Sequence, residues 1–175
     1  MTEIINSTHA DLPQIFELFD QSIRYQQRKG FPVWKNYDQN VIVKDIEHKH
    51  HFKVLVDSKT AMVFSIRYSD KLIWRERDQD DAIYLHRIVV NPEFKGRKLF
   101  GDIFNWAIEQ ARMRMLHYVR MDTWATNANI IEYYKSFGFV FVENYTTPDS
   151  EELPVHNRNL ALALLEYKLT RTISR

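Results

Sequence analysis

Apolar residues change their spacing several times along the chain, and each change marks an element. Ile4 to Asn6 reads as a short first strand. Ile15, Phe16, Phe19 and Ile23 then recur at helical intervals, behind a Thr8-x-x-Asp11 capping pattern. Gly30 to Trp34, with Pro32, interrupts that helix, and Asp38 stands where a cap would open a second one carrying Val41, Ile42 and Ile46. Phe52, Val54 and Val56 alternate, Asp57-Ser58-Lys59 turns, and Met62, Phe64, Ile66 and Tyr68 alternate again. That pattern predicts an antiparallel hairpin. Ser69 to Asp81 is polar and reads as a loop.

In the second half, Tyr84, His86, Ile88 and Val90 fall on one face of a strand, and Leu85 and Val89 on the other. Two apolar faces place that strand centrally. Pro92 ends it. Leu99, Phe100, Ile103, Phe104, Ala107, Ala111 and Met115 form a helical stripe, and Tyr118 to Trp124 is the next strand. Ile130, Ile131, Tyr134 and Phe137 define a short helix that Gly138 terminates. Phe139 to Val142 and Leu160 to Leu169 complete the strands, around a polar loop from Asn144 to Asn159. The order β-α-α-β-β-β-α-β-α-β-β predicts a mixed α/β fold with helices on both faces of one sheet. Without a repeat, linker or low-complexity tract, residues 1–175 read as one domain.

Composition narrows the function. The 175 residues suffice for one real core. Lys plus Arg number 24 and Asp plus Glu 23, a formal net charge of +1. That balance argues against a nucleic-acid or membrane-surface binder, which needs excess positive charge. Cysteine is absent, so disulfides, thiolate zinc sites and a cysteine nucleophile are excluded. No apolar run approaches bilayer-spanning length, and the N-terminus lacks a signal-peptide pattern. The expected location is cytoplasmic. His48, His50 and His51 cluster, but no further ligand accompanies them and no metal is expected.

Chemistry concentrates between Leu85 and Phe139. Glu93-Phe94-Lys95-Gly96-Arg97-Lys98-Leu99-Phe100 joins the central strand to a helix. The first N–H groups of a helix lack internal partners and sit at its positive end, where a pyrophosphate can accept from several. Lys95, Arg97 and Lys98 add charge there, and Gly96 allows close backbone approach.

Ile88-x-Val90-x-Pro92 with Lys95-Gly96-Arg97, then Asn127, Tyr134 and Gly138-Phe139, resembles the GNAT superfamily of N-acetyltransferases. The resemblance covers about 55 residues by motif. It implies a central mixed sheet of about six to seven strands flanked by about four helices. It implies acetyl-CoA as acyl donor, with CoA as product. Cofactor contacts would come from Ile88, Val89 and Val90 on a splayed strand, from Lys95, Gly96, Arg97, Lys98, Leu99, Phe100 and Gly101 around the turn, and from Asn127 and Tyr134. Lys98 and Phe100 depart from the family pattern, which keeps those positions small, so Phe100 is expected to crowd the phosphates unless Gly101 relieves it. Lys95 and Ile130 are milder departures.

Transfer to an amine needs a base for the ammonium proton and an acid for the departing thiolate. Tyr134 matches the acid position, and His86 is a base that Asp122 would orient or replace. Each also has an ordinary structural role: core tyrosine, buried histidine, and for Asn127 a helix cap. The acceptor would be a small-molecule or peptide amine, in a groove walled by Tyr25, Phe31, Trp34, Trp74 and Trp124. Glu76, Asp78, Asp80 and Asp81 are acids able to attract it, but Arg75 and Arg77 interleave with them, which favours a solvated charged loop. A monomer or homodimer is expected. The alternative is a non-catalytic CoA-binding sensor or partner-binding module on the same fold.

Overall fold

The computed structural model describes residues 1–35 and 37–170. Seven strands form one sheet: β1 (Thr2–Asn6), β2 (His51–Val56), β3 (Lys59–Arg67), β4 (Ala82–Val90), β5 (Tyr118–Trp124), β6 (Val140–Thr146) and β7 (Ala161–Lys168). Their order is β1-β2-β3-β4-β5-β7-β6. Only β4 and β5 run parallel. A parallel pair requires a long crossover, here supplied by α4 (Phe100–Met113).

One sheet face carries α4 and α5 (Ala128–Lys135). Phe100, Ile103, Phe104, Ala107 and Ala111 of α4 bury against Phe64, Ile66, Ile83, Leu85, Val119 and Met121. The other face carries α1 (Leu12–Arg28) and α2 (Gln39–Glu47), packed through Ile15, Leu18, Phe19, Ile42 and Ile46 onto Val63 and Val89. The caps are where the sequence places them. The Thr8 N–H donates to Asp11 (2.8 Å), and the Asn40 N–H donates to Asp38 (2.9 Å).

Two expectations change. The Ser69–Asp81 segment is not bare loop. It holds a helical turn, α3 (Lys71–Trp74), with Ile73 and Trp74 buried against Tyr84, Leu162 and Leu164. Trp74 is thus a core residue and not a groove wall. Strand β6 runs to Thr146, beyond Val142, because β7 inserts between β5 and β6 and pairs along that whole length. A strand at the sheet edge needs no apolar alternation to pair, so its polar end was invisible in the pattern.

Candidate active site

The site begins where two strands separate. β4 and β5 pair from Ala82–Tyr118 as far as Leu85–Met121, then part. Beyond that point β4 keeps only β3 as a neighbour, so its other edge presents backbone groups that need partners. A cavity of about 680 Å³ lies along the opening.

A bulge in β4 shapes its floor. Val63 pairs with Val89 but Ser65 with His86, so Arg87 and Ile88 together oppose Phe64. Arg87 takes a left-handed φ of 50°. The bulge reverses the strand's alternation. Ile88 packs with Leu85 on the α4 face, while Val89 joins Val63 on the α1–α2 face. The expected grouping of Ile88 with Tyr84 and His86 therefore fails, as does that of Leu85 with Val89. A bulge adds a residue without disturbing the apolar pattern, so spacing did not reveal it. An ion cluster fastens it: Arg87 Nη2 lies 2.5 Å from Asp45 Oδ2 of α2, and Arg67 pairs with the other oxygen. Asp45 is 1% exposed. Burial alone would raise its carboxyl pKa; Arg87 and Arg67 outweigh that and hold it below the ordinary value.

The turn after β4 forms the rim. Asn91 caps it, its side chain accepting from the Glu93 N–H at 3.1 Å. Gly96 (φ 84°) and Lys98 (φ 56°) are both left-handed, so Lys98 holds a conformation that glycine adopts without cost. Among the described residues, the N–H groups of Gly96, Lys98, Leu99 and Phe100 find no backbone acceptor. They stand at the positive end of α4. Phe100 does not crowd this rim. Its ring is 2% exposed and packs 4.8 Å from Tyr134 and 5.0 Å from Phe137. The bulk that looked obstructive instead ties α4 to α5.

Of the catalytic and cofactor-binding residues expected from the sequence, His86, Ile88, Val90, Lys95, Gly96, Lys98, Leu99, Phe100, Asn127 and Tyr134 line a single shared cavity. Three do not. Val89 is buried toward α1 and α2, Arg97 lies over the Phe94 ring at 5.0 Å, and Gly101 sits inside α4 against Phe137. Asn127 caps α5 by accepting from the Ile130 N–H (3.2 Å) and also borders the cavity. The histidines of the 48–51 cluster serve separate contacts: His48 meets Lys44 O, His51 meets Ser7, and His50 edges Tyr68.

His86 stands between two carboxylates. Its Nε2 is 3.2 Å from Asp70 Oδ2, and its Nδ1 is 3.8 Å from Asp122 Oδ1. Asp70 lies just before α3, in the segment read as featureless loop. The buried Ile73–Trp74 pair was the signal that this segment packs. Burial raises the Asp122 carboxyl to about 6, with Asp70 adding to the rise and His86 and Arg87 opposing it. Tyr134 is 8% exposed, and burial pushes its phenol well above the ordinary value, so it keeps its proton at neutral pH. Its hydroxyl has no hydrogen-bond partner among the described residues.

Two of the four acids expected to attract an amine have other duties. Asp78 accepts from Ser69 and Tyr84, and Asp81 pairs with Arg120.

The raised Asp122 value has a thermodynamic consequence. A carboxyl whose folded pKa exceeds its unfolded value favours folding at low pH, and that contribution is lost as pH rises through about 6. Asp122→Asn should therefore raise the melting temperature above pH 6. The gain should vanish as pH falls toward about 4, the unfolded value. A Tm difference that does not vary with pH would contradict the assignment.

The sheet is mixed and seven-stranded, and its β4–β5 pair parts beside the N-terminus of α4. The sequence profile of the Acetyltransferase (GNAT) family matches residues 25–139, and the chain belongs to that family. An uncharacterized N-acetyltransferase of Bacillus subtilis, YesJ, is 24% identical over 144 residues, covering 78% of this chain and 80% of that protein. A GNAT-family acetyltransferase from Listeria monocytogenes superposes with TM-score 0.77 at 20% identity, over 96% of this chain and 95% of that one. A putative acetyltransferase of Salmonella typhimurium, yncA, solved with acetyl-CoA, superposes at 0.66 with 16% identity, over 100% and 98% of the two chains. Among the described residues, no helix is long and apolar enough to cross a membrane.

Proposed function

We propose that the chain is a single catalytic domain that transfers an acetyl group from acetyl-CoA to a primary amine, on a small molecule or a peptide, by direct attack. The observation that carries this is the convergence on one cavity of the parted β4 edge, the open N-terminus of α4, His86 and Tyr134. The residues fit the pyrophosphate and the pantetheine arm of CoA. Free N–H groups at Gly96 and at Lys98 to Phe100 suit the pyrophosphate oxygens, with Lys95 and Lys98 as point charges. The β4 edge at Ile88 to Val90 suits the amide groups of the pantetheine arm, and Asn127 borders the same path. When bound, acetyl-CoA supplies an activated acyl carbon and a thiolate leaving group.

The chain's own residues manage the protons. His86 receives the proton shed by the attacking amine, and Asp70 and Asp122 face the positive charge formed on its ring. Tyr134 Oη delivers a proton to the departing sulfur, a role its buried, protonated phenol suits. The competing reading is a CoA-binding module without turnover. The carboxylate-flanked histidine opposite a protonated tyrosine favours catalysis, because simple binding needs neither.

Acetyl-CoA should raise the melting temperature by mass action; at 100 times Kd the gain is about 2.7 kcal/mol. No shift at millimolar acetyl-CoA would contradict the cofactor assignment. Lys98→Gly should relieve about 1 kcal/mol of left-handed strain. The variant should therefore hold or raise its Tm while binding acetyl-CoA several-fold more weakly, through loss of one phosphate charge. Calorimetric titration and thermal melts separate the two effects.

A further inference from the structure

His86 and Asp122 project from the sheet face that carries α1, α2 and α3, so an amine must reach them from that side. The cavity there is walled by apolar groups. Trp124 ends β5 and is continuous with the buried cluster of Trp74 and Tyr84, as are Ile73, Leu160 and Leu162. Opposite stand Phe31 and Trp34, between α1 and α2, with Trp34 stacked on the buried Phe19 at 5.5 Å. The wall is held in place. His156 Nδ1 accepts from the Asp38 N–H at 3.0 Å, which fastens the β6–β7 loop to the start of α2.

Charge decides what such a chamber admits. Among the described residues Asp122 is the only carboxylate in the lining, with Asp70 on the other side of His86; Arg28 also borders it, while Arg24 and Arg87 there are paired with Glu17 and Asp45. Glu143, Asp78 and Asp81 are already engaged by arginines or hydroxyls. One ammonium has a counter-charge beside His86. A second, held away from His86, would meet aromatic walls, and an unpaired charge in apolar surroundings is costly.

We propose that the acceptor is a primary amine on an aromatic or alkyl skeleton with no second cationic group, and that Trp124 and Trp34 set this preference. The inference rests on the N-acetyltransferase reading and names the substrate class of that same site.

The probes are 2-phenylethylamine and spermidine, followed by CoA thiol release and, independently, by quenching of tryptophan fluorescence in the presence of CoA. The aryl amine should show kcat/KM at least tenfold above spermidine, and should quench saturably at lower concentration. Trp124→Ala should cut kcat/KM for the aryl amine about tenfold or more, chiefly through KM, as expected when a large aromatic contact is lost. Trp124→Phe should recover part of it. An unchanged acetyl-CoA melting shift in each variant shows that the fold survives; should Trp124→Ala not fold, Trp124→Phe and Trp34→Ala carry the comparison. Preference for spermidine, or indifference to all three substitutions, overturns the proposal while leaving the acetyltransferase reading intact. Failure of every amine to release thiol, with the melting shift present, overturns both.

Discussion

Tyr134→Phe should lower turnover by about 10²- to 10⁴-fold, the usual span for loss of a positioned proton donor. Affinity for acetyl-CoA should barely change. The substitution removes one oxygen and keeps the ring, and the ring carries the packing: it lies 4.8 Å from Phe100 within the aromatic cluster of α4, α5 and Phe139. The hydroxyl makes no hydrogen bond to the described residues, so its loss strands no buried partner. Stability should therefore hold to within a few tenths of a kcal/mol. Steady-state kinetics with a thermal melt as control decides the matter. A large fall in Tm with intact kcat would show that Tyr134 is a core residue whose hydroxyl is idle.

Asp45→Ala should be the most destabilising single change among those considered. It leaves the Arg87 and Arg67 guanidiniums facing each other without the carboxylate that both contact. Breaking a buried ion pair from one side costs about 3–5 kcal/mol, or roughly 6–20 °C in Tm for a domain of this size. The effect should also reach the site. Arg87 is held at φ 50° in the β4 bulge, and such a conformation persists only where its surroundings enforce it. Release of the bulge would shift His86, its immediate neighbour, so residual folded enzyme should have reduced kcat with near-normal acetyl-CoA affinity. The Asp45 contribution should fade on acidification, because its folded pKa lies below the unfolded value and the stabilisation is lost as pH falls through it. A Tm within about 2 °C of wild type would show that the arginines find solvent or other partners.

Much of this was legible in the residues, for local reasons. Pro92, Gly96 and Gly138 punctuate the chain through backbone conformation alone, and the α4 stripe from Phe100 to Ala111 buries as its spacing implies. Hence the strand, turn and helix around the cavity were readable, and so was the position of His86, Tyr134 and Asn127 along it. What escaped depends on distant contacts. The insertion of β7 between β5 and β6 follows from pairing across the loop. The β4 bulge depends on Asp45, forty-two positions away from Arg87. Asp70 gains its place only because Trp74 is buried behind it. Phe100 departs from its expectation because bulk has a direction: its backbone belongs to the rim and its ring to the core.

The central claim is that this cavity joins an acetyl thioester to an amine. The most direct measurement is the initial rate of CoA thiol release from acetyl-CoA, with and without a panel of primary amines, alongside detection of the N-acetyl product. Release should depend on amine, be equimolar with product, and collapse in His86→Gln and Tyr134→Phe. Release no faster than background with every amine, by a protein whose Tm acetyl-CoA still raises, would contradict it and identify a CoA-binding module instead.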